Sequence, residues 1–436
     1  MRVAVETLGC RVNTYDSEAM MELFEKDGFE VVGFAEKADV YVINTCTVTN
    51  MGDKKSRQHI HRAKRQNPDA VVAVVGCYSQ VNKEEVASIE GVDVVLGSRN
   101  KSEIVFYVNK AMAERKQVVH VSDNIMLGAR FEELSIRGYE GRTRAFMKIQ
   151  DGCNRFCSYC IIPYARGGVS SKDRKKVIEE VRLLAAEGFK EIILSGIHIA
   201  SYGQDFREDY GLIDLLEDLD GIDGIERIRI GSIEPMFFKG EAMERVLSLR
   251  KLCPHFHLSL QSGSDATLKR MNRRYTKEEY LDVVLKLRKS LPGVSITTDV
   301  IVGFPQETDD EFRETMDFLE KVRLDKIHTF KYSERKGTPA ARMTGKVDPK
   351  TKDERSSLVM DLSDKLEEKH VLGIVGKRVK VLFEEGRDGA YYGYTPDYIR
   401  VKTKSLEDIE GHIRRVQITG SAKDTAFGEL LDQQEE

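Results

Sequence analysis

Apolar residues in the first 125 positions gather into four short runs: RVAVETLG (2–9), DVYVINTC (39–46), AVVAVVGC (70–77) and VDVVLGS (92–98). The stretches between them are charged, with helical periodicity. Runs that stay apolar at consecutive positions predict strands buried on both faces, and their alternation with helices predicts an open α/β sheet of parallel strands. Three of the runs end at or just before a cysteine: Cys10, Cys46 and Cys77. Ligand sites in such sheets lie beyond the carboxyl ends of the strands, so these distant cysteines are expected to converge at one edge. A single buried cysteine at a strand end is commonly packing; the repetition points to a site.

From about residue 143 the alternation resumes with longer helices. AFMKIQDG, EIILSG, IERIRIGS, HFHLSLQS, SITTDVIVGF and KIHTFKYS are the strand candidates. Phe312, Met316 and Leu319 recur at helical spacing in DDEFRETMDFLEKV, a core stripe. Six strand–helix units predict a parallel, barrel-like sheet, full or partial, with functional loops at the strand carboxyl ends. Ser232, Gln261 and Asp299 fall at expected strand ends and are candidate cofactor-pocket residues, with capping of the following helix as the alternative role.

The last 65 residues change character: RVKVLFEE, YYGYTPDYIRVKTKS and HIRRVQITGSA predict a small all-β barrel. Its basic residues with Tyr391, Tyr392, Tyr394 and Tyr398 suit a nucleic-acid surface, although tyrosines in strands also pack. The terminal ELLDQQEE adds four acidic groups that offset the basic charge. The division expected is thus 1–125, 140–370 and 372–436.

Composition narrows the function classes. A chain of 436 residues exceeds one ordinary core, and 41% hydrophobic with 32% charged residues excludes a disordered protein. Net charge is only -4, so nucleic-acid binding requires a local concentration of basic groups. KKSRQHIHRAKR supplies one, with Lys54, Lys55, Arg57, Arg62, Lys64 and Arg65 and no acidic residue, as a solvated helix face or a phosphate-contacting one. No apolar stretch suits a signal peptide or membrane span, so a cytoplasmic protein without a membrane partner is expected. In that reducing compartment seven cysteines point to metal binding or chemistry rather than disulfides.

DGCNRFCSYC (151–160) places Cys153, Cys157 and Cys160 at spacings of four and three, with no fourth cysteine nearby. Structural zinc sites close with four ligands, and ferredoxin patterns also supply four. Three cysteines leave one iron of a four-iron cluster free, as a catalytic metal site keeps an open position. The remaining cysteine, Cys253 in KLCPHFHL, could be a distant fourth ligand but reads as a core residue.

This segment resembles the signature of radical S-adenosylmethionine enzymes. The resemblance implies that Cys153, Cys157 and Cys160 are catalytic ligands of a 4Fe-4S cluster whose open iron chelates S-adenosylmethionine, with Tyr159 near the adenine. One-electron reduction would then release a 5'-deoxyadenosyl radical. TLGCRVNTYDSE, NTCTVT and VVGCYSQ resemble the N-terminal domain of the methylthiotransferases, which implies a second 4Fe-4S cluster on Cys10, Cys46 and Cys77. CSYCIIPYARG, LSLQSGSDATLKRMNRRYT and DVIVGFPQET are similar to core segments of the same enzymes, and the C-terminal barrel resembles the RNA-binding TRAM domain.

Within that family, GCRVN and NTCTVT most resemble the enzymes acting on N6-threonylcarbamoyladenosine beside the tRNA anticodon. Those acting on isopentenyladenosine or on a ribosomal-protein aspartate are the alternatives, and an iron–sulfur electron carrier is a different class. The resemblance further implies an electron donor such as flavodoxin or ferredoxin. The chemistry fits two clusters: the C2–H of adenine is too weakly acidic for a side-chain base, so a radical cofactor must carry that step. In the implied mechanism, sulfur on the N-terminal cluster is methylated by one S-adenosylmethionine, and a second is cleaved to take the C2 hydrogen.

Overall fold

The computed structural model describes residues 1–134, 136 and 143–431. Positions 140–142 and the acidic Asp432, Glu435 and Glu436 lie outside the described residues.

The N-terminal sheet has six parallel strands in the order β2-β1-β3-β4-β5-β6. They are β1 (Arg2–Thr7), β2 (Glu30–Val32), β3 (Val40–Thr45), β4 (Val71–Gly76), β5 (Val94–Leu96) and β6 (Val118–His120). Four match the apolar runs; β2 and β6 are three-residue edge strands, too short to stand out as periodic signals. Helices cover both faces, which explains the unbroken apolar runs. On β3, Val40 and Val42 pack with Met20, Phe24 and Val108 on one side, while Tyr41 and Ile43 pack with Ile60, Ala63 and Tyr78 on the other. Helix α1 (Arg11–Lys26) starts beside Cys10, α2 (Asn50–Gln66) follows Cys46, and α3 (Cys77–Val81) begins at Cys77.

The second unit opens with β7 (Arg144–Lys148), followed by a short antiparallel pair, β8 (Gln150–Asp151) and β9 (Ser170–Ser171). Its other strands are β10 (Glu191–Ser195), β11 (Arg227–Ile230), β12 (His255–His257), β13 (Ser295–Val302) and β14 (Lys326–Lys331). Parallel ladders β11-β10-β7 and β12-β13-β14 are joined by isolated parallel bridges, Ile228 to Leu252 and Ile233 to Leu258. The result is a six-stranded partial barrel. Met147, Ile192, Leu194, Ile228, Phe256, Ile296 and Val300 pack outward into the core under the helices. Strand alternation turns Phe146, Arg229, His255, His257, Thr297, Asp299 and His328 to the interior.

The helix Pro349–Leu372 leads to a closed five-stranded barrel. Its strands β15 (Arg378–Arg387), β16 (Ala390–Tyr394), β17 (Arg400–Lys404), β18 (Ile413–Ala422) and β19 (Thr425–Leu430) run in the order β15-β16-β17-β19-β18. Val381, Phe383, Val401, Val416 and Ile418 fill it. This barrel is docked as well as tethered. Arg227 donates to the carbonyls of Tyr394 (3.0 Å) and Lys380 (3.1 Å), Arg229 to that of Pro396 (3.0 Å), and Arg144 pairs with Glu384 (2.8 Å). Tyr398, held at φ 71°, wedges against the Arg229 guanidinium (4.4 Å from ring centre) and the His255 ring (4.8 Å).

Candidate cluster sites

The Cys153 loop is shaped by its own backbone. The β8/β9 pair closes its neck, and Gly152, at φ 71°, lies where a Cβ would stand 2.0 Å from the Gly168 carbonyl oxygen. Only glycine fits that approach. Cys153 N–H donates to Gly167 O (2.9 Å) and Cys160 N–H to Cys157 O (2.9 Å). From the far side Asn272 donates to Phe156 O (3.0 Å), and the Ser158 hydroxyl donates to Arg270 O (2.7 Å).

One backbone amide and one guanidinium face these sulfurs. The Arg155 backbone N–H donates to Cys153 Sγ (3.4 Å), and the buried Arg273 guanidinium donates to Cys157 Sγ (3.3 Å). Glu234 anchors both arginine side chains, at 2.8 Å from Arg155 and 3.5 Å from Arg273, and its other neighbour is His198 at 3.3 Å. Burial works to raise the Glu234 carboxyl, but the His198 hydrogen bond and the charges of Arg273 and Arg155 outweigh it and hold it at about 2. Burial, then the neighbouring Cys157, push the Cys160 thiol up to about 12. A buried thiol of that kind becomes a thiolate when a metal takes the place of its proton.

The second triplet is assembled from three strand ends. Gly9, at φ 107°, lets the β1–α1 turn approach so closely that a Cβ there would stand 2.7 Å from Cys46 Cβ and 2.9 Å from its sulfur. Asn13, the third residue of α1, ties two of those ends, donating to Leu8 O (2.6 Å) and Thr45 O (3.0 Å). Cys10 is exposed, Cys46 half-buried and Cys77 buried. Burial raises the Cys46 thiol to about 11 against a donating Val48 N–H, and raises Cys77 against the adjacent Arg166.

Arg166, at the end of the short helix Ile162–Arg166 that follows Cys160, joins the two sites. It is 1% exposed. Its Nε–H donates to Cys77 Sγ (3.3 Å), one terminal nitrogen reaches Asp16 (3.1 Å) and Asp151 (3.0 Å), and the other bonds the Asn13 side-chain oxygen. Lys101 and Lys148 complete the network, each bound to Asp16, at 2.7 and 2.8 Å, with Lys148 also 2.8 Å from Asp151. Burial would raise Asp16, yet Lys101, Lys148 and Arg166 together hold it far below the carboxylate range; Asp151, burdened likewise, is held at about 2 by Arg166 and Lys148. Three cations against two carboxylates leave one positive charge without a counterpart, and Arg166 Nε directs it at the Cys77 sulfur. The pocket is matched to a thiolate, as a cluster ligand would be. Among the described residues no three His, Cys, Asp or Glu side chains converge on one metal ion; the ligands of an iron–sulfur cluster stand wider, each on its own iron.

Comparison with known proteins gives the family. The model of the "Uncharacterized protein family UPF0004" matches residues 2–97 and that of the "Radical SAM superfamily" residues 147–319. The chain is 45% identical over 422 residues to the threonylcarbamoyladenosine tRNA methylthiotransferase MtaB of Bacillus subtilis (strain 168), covering 95% of this chain and 93% of the relative. It is 37% identical to the tRNA-2-methylthio-N(6)-dimethylallyladenosine synthase of Pelotomaculum thermopropionicum (strain DSM 13744 / JCM 10971 / SI), over 95% of this chain and 94% of that one. The chain belongs to the radical S-adenosylmethionine methylthiotransferases. The fold is also shared with the radical S-adenosylmethionine methyltransferase TsrM from Kitasatospora setae, at TM-score 0.55 and 17% identity, covering 78% of this chain and 74% of that one. Radical S-adenosylmethionine methylthiotransferases use S-adenosylmethionine and two 4Fe-4S clusters, and this one carries two cysteine triplets in settings that fit thiolate ligands.

The remaining expected residues of the methylthiotransferase fall as follows. Tyr159 packs edge-on to Phe304, ring centres 6.5 Å apart. Gln261, buried at φ 73°, donates its N–H to Asp299 O (2.9 Å). Asp299 sits inside β13 and not at its end, where the reading of SITTDVIVGF placed it; β13 runs on to Val302, and the Asp299 carboxylate lies 3.2 Å from His257 Nε2. Ser232 is exposed, two residues before Glu234. Cys253 is buried at 2% exposure. On α2, Lys54, Lys55, His61, Arg62 and Arg65 are exposed, whereas Arg57 pairs with Glu85 and Lys64 with Asp93. No helix of the described residues is long and apolar enough to cross a membrane.

Arg166, Arg273, Glu234, His198, Asp16, Asn13, Lys101 and Lys148 were not legible as site residues. One signal was available: Lys148 is a lone cation within the strand AFMKIQDG, where a buried charge requires partners.

Proposed function

We propose that this enzyme methylthiolates C2 of N6-threonylcarbamoyladenosine beside the anticodon of tRNA. The observation that carries the reading is Arg166, which ends the helix following Cys160, donates to Cys77 Sγ and pairs with Asp151 two residues before Cys153, so that one buried side chain links the two cysteine segments. The 45% identity to a threonylcarbamoyladenosine enzyme, against 37% to a dimethylallyladenosine one, supports the choice of base.

In this reading Cys153, Cys157 and Cys160 hold the cluster that binds S-adenosylmethionine, and Cys10, Cys46 and Cys77 hold the second. Bound together, these groups supply radical abstraction of the C2 hydrogen and the methylthio group that replaces it. The chain's own part is positional. Arg273 and Arg166 each donate to one sulfur of a triplet, Glu234 fixes Arg155 and Arg273, and Tyr159 flanks the adenine of the cofactor. Gln261, Asp299 and Ser232 remain candidate cofactor-pocket residues. Segments 1–125, 140–370 and 372–436 serve as second-cluster, radical and TRAM-like RNA-binding units, with the exposed basic face of α2 adding phosphate contacts. A cytoplasmic location and a flavodoxin- or ferredoxin-type electron donor follow from this role.

The test is nucleoside mass spectrometry of tRNA from cells lacking the gene: 2-methylthio-threonylcarbamoyladenosine should vanish and threonylcarbamoyladenosine accumulate. Loss of the isopentenyl derivative instead would reassign the substrate, and intact tRNA with an unmodified ribosomal-protein aspartate would move it out of RNA.

A further inference from the structure

The first residue of α1 stands apart from every other cation at the barrel interior. Arg144 pairs with Glu384 and lies 3.8 Å from Glu191, Arg229 pairs with Glu191, Arg155 and Arg273 share Glu234, and Lys148 is bound by Asp16 and Asp151. Arg11 has only neutral contacts among the described residues. One terminal nitrogen donates to the Tyr398 hydroxyl (3.3 Å), and its guanidinium carbon lies 5.4 Å from the centre of the Phe146 ring. Both partners border the interior, Phe146 from β7 and Tyr398 from the docked barrel. The Arg11 charge is felt across that space: behind burial and nearer charges, it helps depress the imidazoles of His255 and His328. Arg11 is exposed, and it directly follows Cys10.

A guanidinium held between two aromatic side chains, beside a sulfur site and with no carboxylate of its own, is a ready receptor for one. The substrate proposed above carries a carboxylate on its N6 threonyl group. In adenine only N1 and C6 lie between C2 and N6, so a base that turns C2 toward Cys10, Cys46 and Cys77 brings its N6 substituent to the same wall. We infer that Arg11 is the specificity-determining residue that binds the threonyl carboxylate and so favours acylated over prenylated adenosine. An isopentenyl group covers the guanidinium without pairing it, and a site built to pair a polar group rejects analogues that lack it. The inference rests on the threonylcarbamoyladenosine reading and adds the residue that enforces it.

The experiment uses the full chain loaded with both clusters and three anticodon stem–loops, carrying threonylcarbamoyladenosine, its neutral methyl ester, or isopentenyladenosine. Fluorescence anisotropy gives Kd, and product formation gives kcat/KM. The unaltered enzyme should favour the acid over the ester by about 10- to 100-fold. Arg11→Gln should lose that factor on the acid and little on the ester, and Arg11→Lys should recover part of it. Iron per chain and the cluster spectra check that the neighbouring Cys10 is still loaded. Equal handling of acid and ester by the unaltered enzyme, or an equal loss on both in Arg11→Gln, overturns the role of Arg11 while leaving the substrate reading standing. Turnover of isopentenyladenosine with none of the acid overturns both.

Discussion

The two cysteine sites differ in how they are built. Cys153, Cys157 and Cys160 share one loop whose neck and turns are closed by backbone bonds within it. Cys10, Cys46 and Cys77 come from the ends of β1, β3 and β4, so their spacing depends on the register of the whole sheet. Both present a buried guanidinium to one sulfur at 3.3 Å, Arg273 to Cys157 and Arg166 to Cys77. The lesson is that a local motif advertises itself in sequence, while a site of equal chemical weight can be spread over strand ends.

Removing the ligands separates the two sites most sharply. Changing Cys153, Cys157 and Cys160 to Ala should cut iron per chain by one cluster and abolish 5'-deoxyadenosine formation. The corresponding change at Cys10, Cys46 and Cys77 should also remove one cluster yet keep 5'-deoxyadenosine, with methylthio product gone. Iron analysis and chromatography of both products check the pair of outcomes.

The arginines come next. Arg166→Met leaves two lysines against two carboxylates but removes the buried hydrogen bonds to Asp16, Asp151, Asn13 and Cys77, a loss of about 3–5 kcal/mol in urea unfolding. Arg273→Met should cost less, roughly 1–3 kcal/mol, because Glu234 keeps Arg155 and His198. Equal losses would mean that the two sites are supported alike.

Acid should reveal the Glu234 cluster. Its carboxyl is held at about 2, below the unfolded value near 4.3, so its contribution is complete above about pH 5 and is lost as pH falls from about 4 to 2. A Glu234→Gln variant should be less stable at pH 7 and show a flatter stability curve across that window, measured by unfolding at a series of pH values. The smallest effect belongs to α2. Replacing Lys54, Lys55, Arg62 and Arg65 by Ala should weaken tRNA binding and lower the slope of log affinity against log salt by about 0.7–0.9 for each phosphate no longer neutralised.

Sequence pattern exposed the longer buried strands because their apolar runs are continuous, and it exposed the Cys153 loop because its ligands are adjacent. Edge strands β2 and β6 were too short for a pattern. Asp299 escaped correct placement because β13 continues through apolar residues past it, so the strand end was set too early. Arg227 and Arg229 alternate with Ile228 and Ile230, a pattern that normally marks a wet face; here that face meets the C-terminal barrel, which the strand itself does not encode. Asp16 is one acid among several in α1, and it becomes a buried anchor through the approach of Lys101, of β7 and of the Ile162–Arg166 helix.

That helix also acts as a gauge. It begins two residues after Cys160 and lasts five, so the angular phase of Arg166 is set by residue count. One residue inserted between them would turn the guanidinium by about 100° around the helix axis, away from Cys77. The reach from the Cys160 loop to the Cys77 sulfur is thus written into the chain as a length.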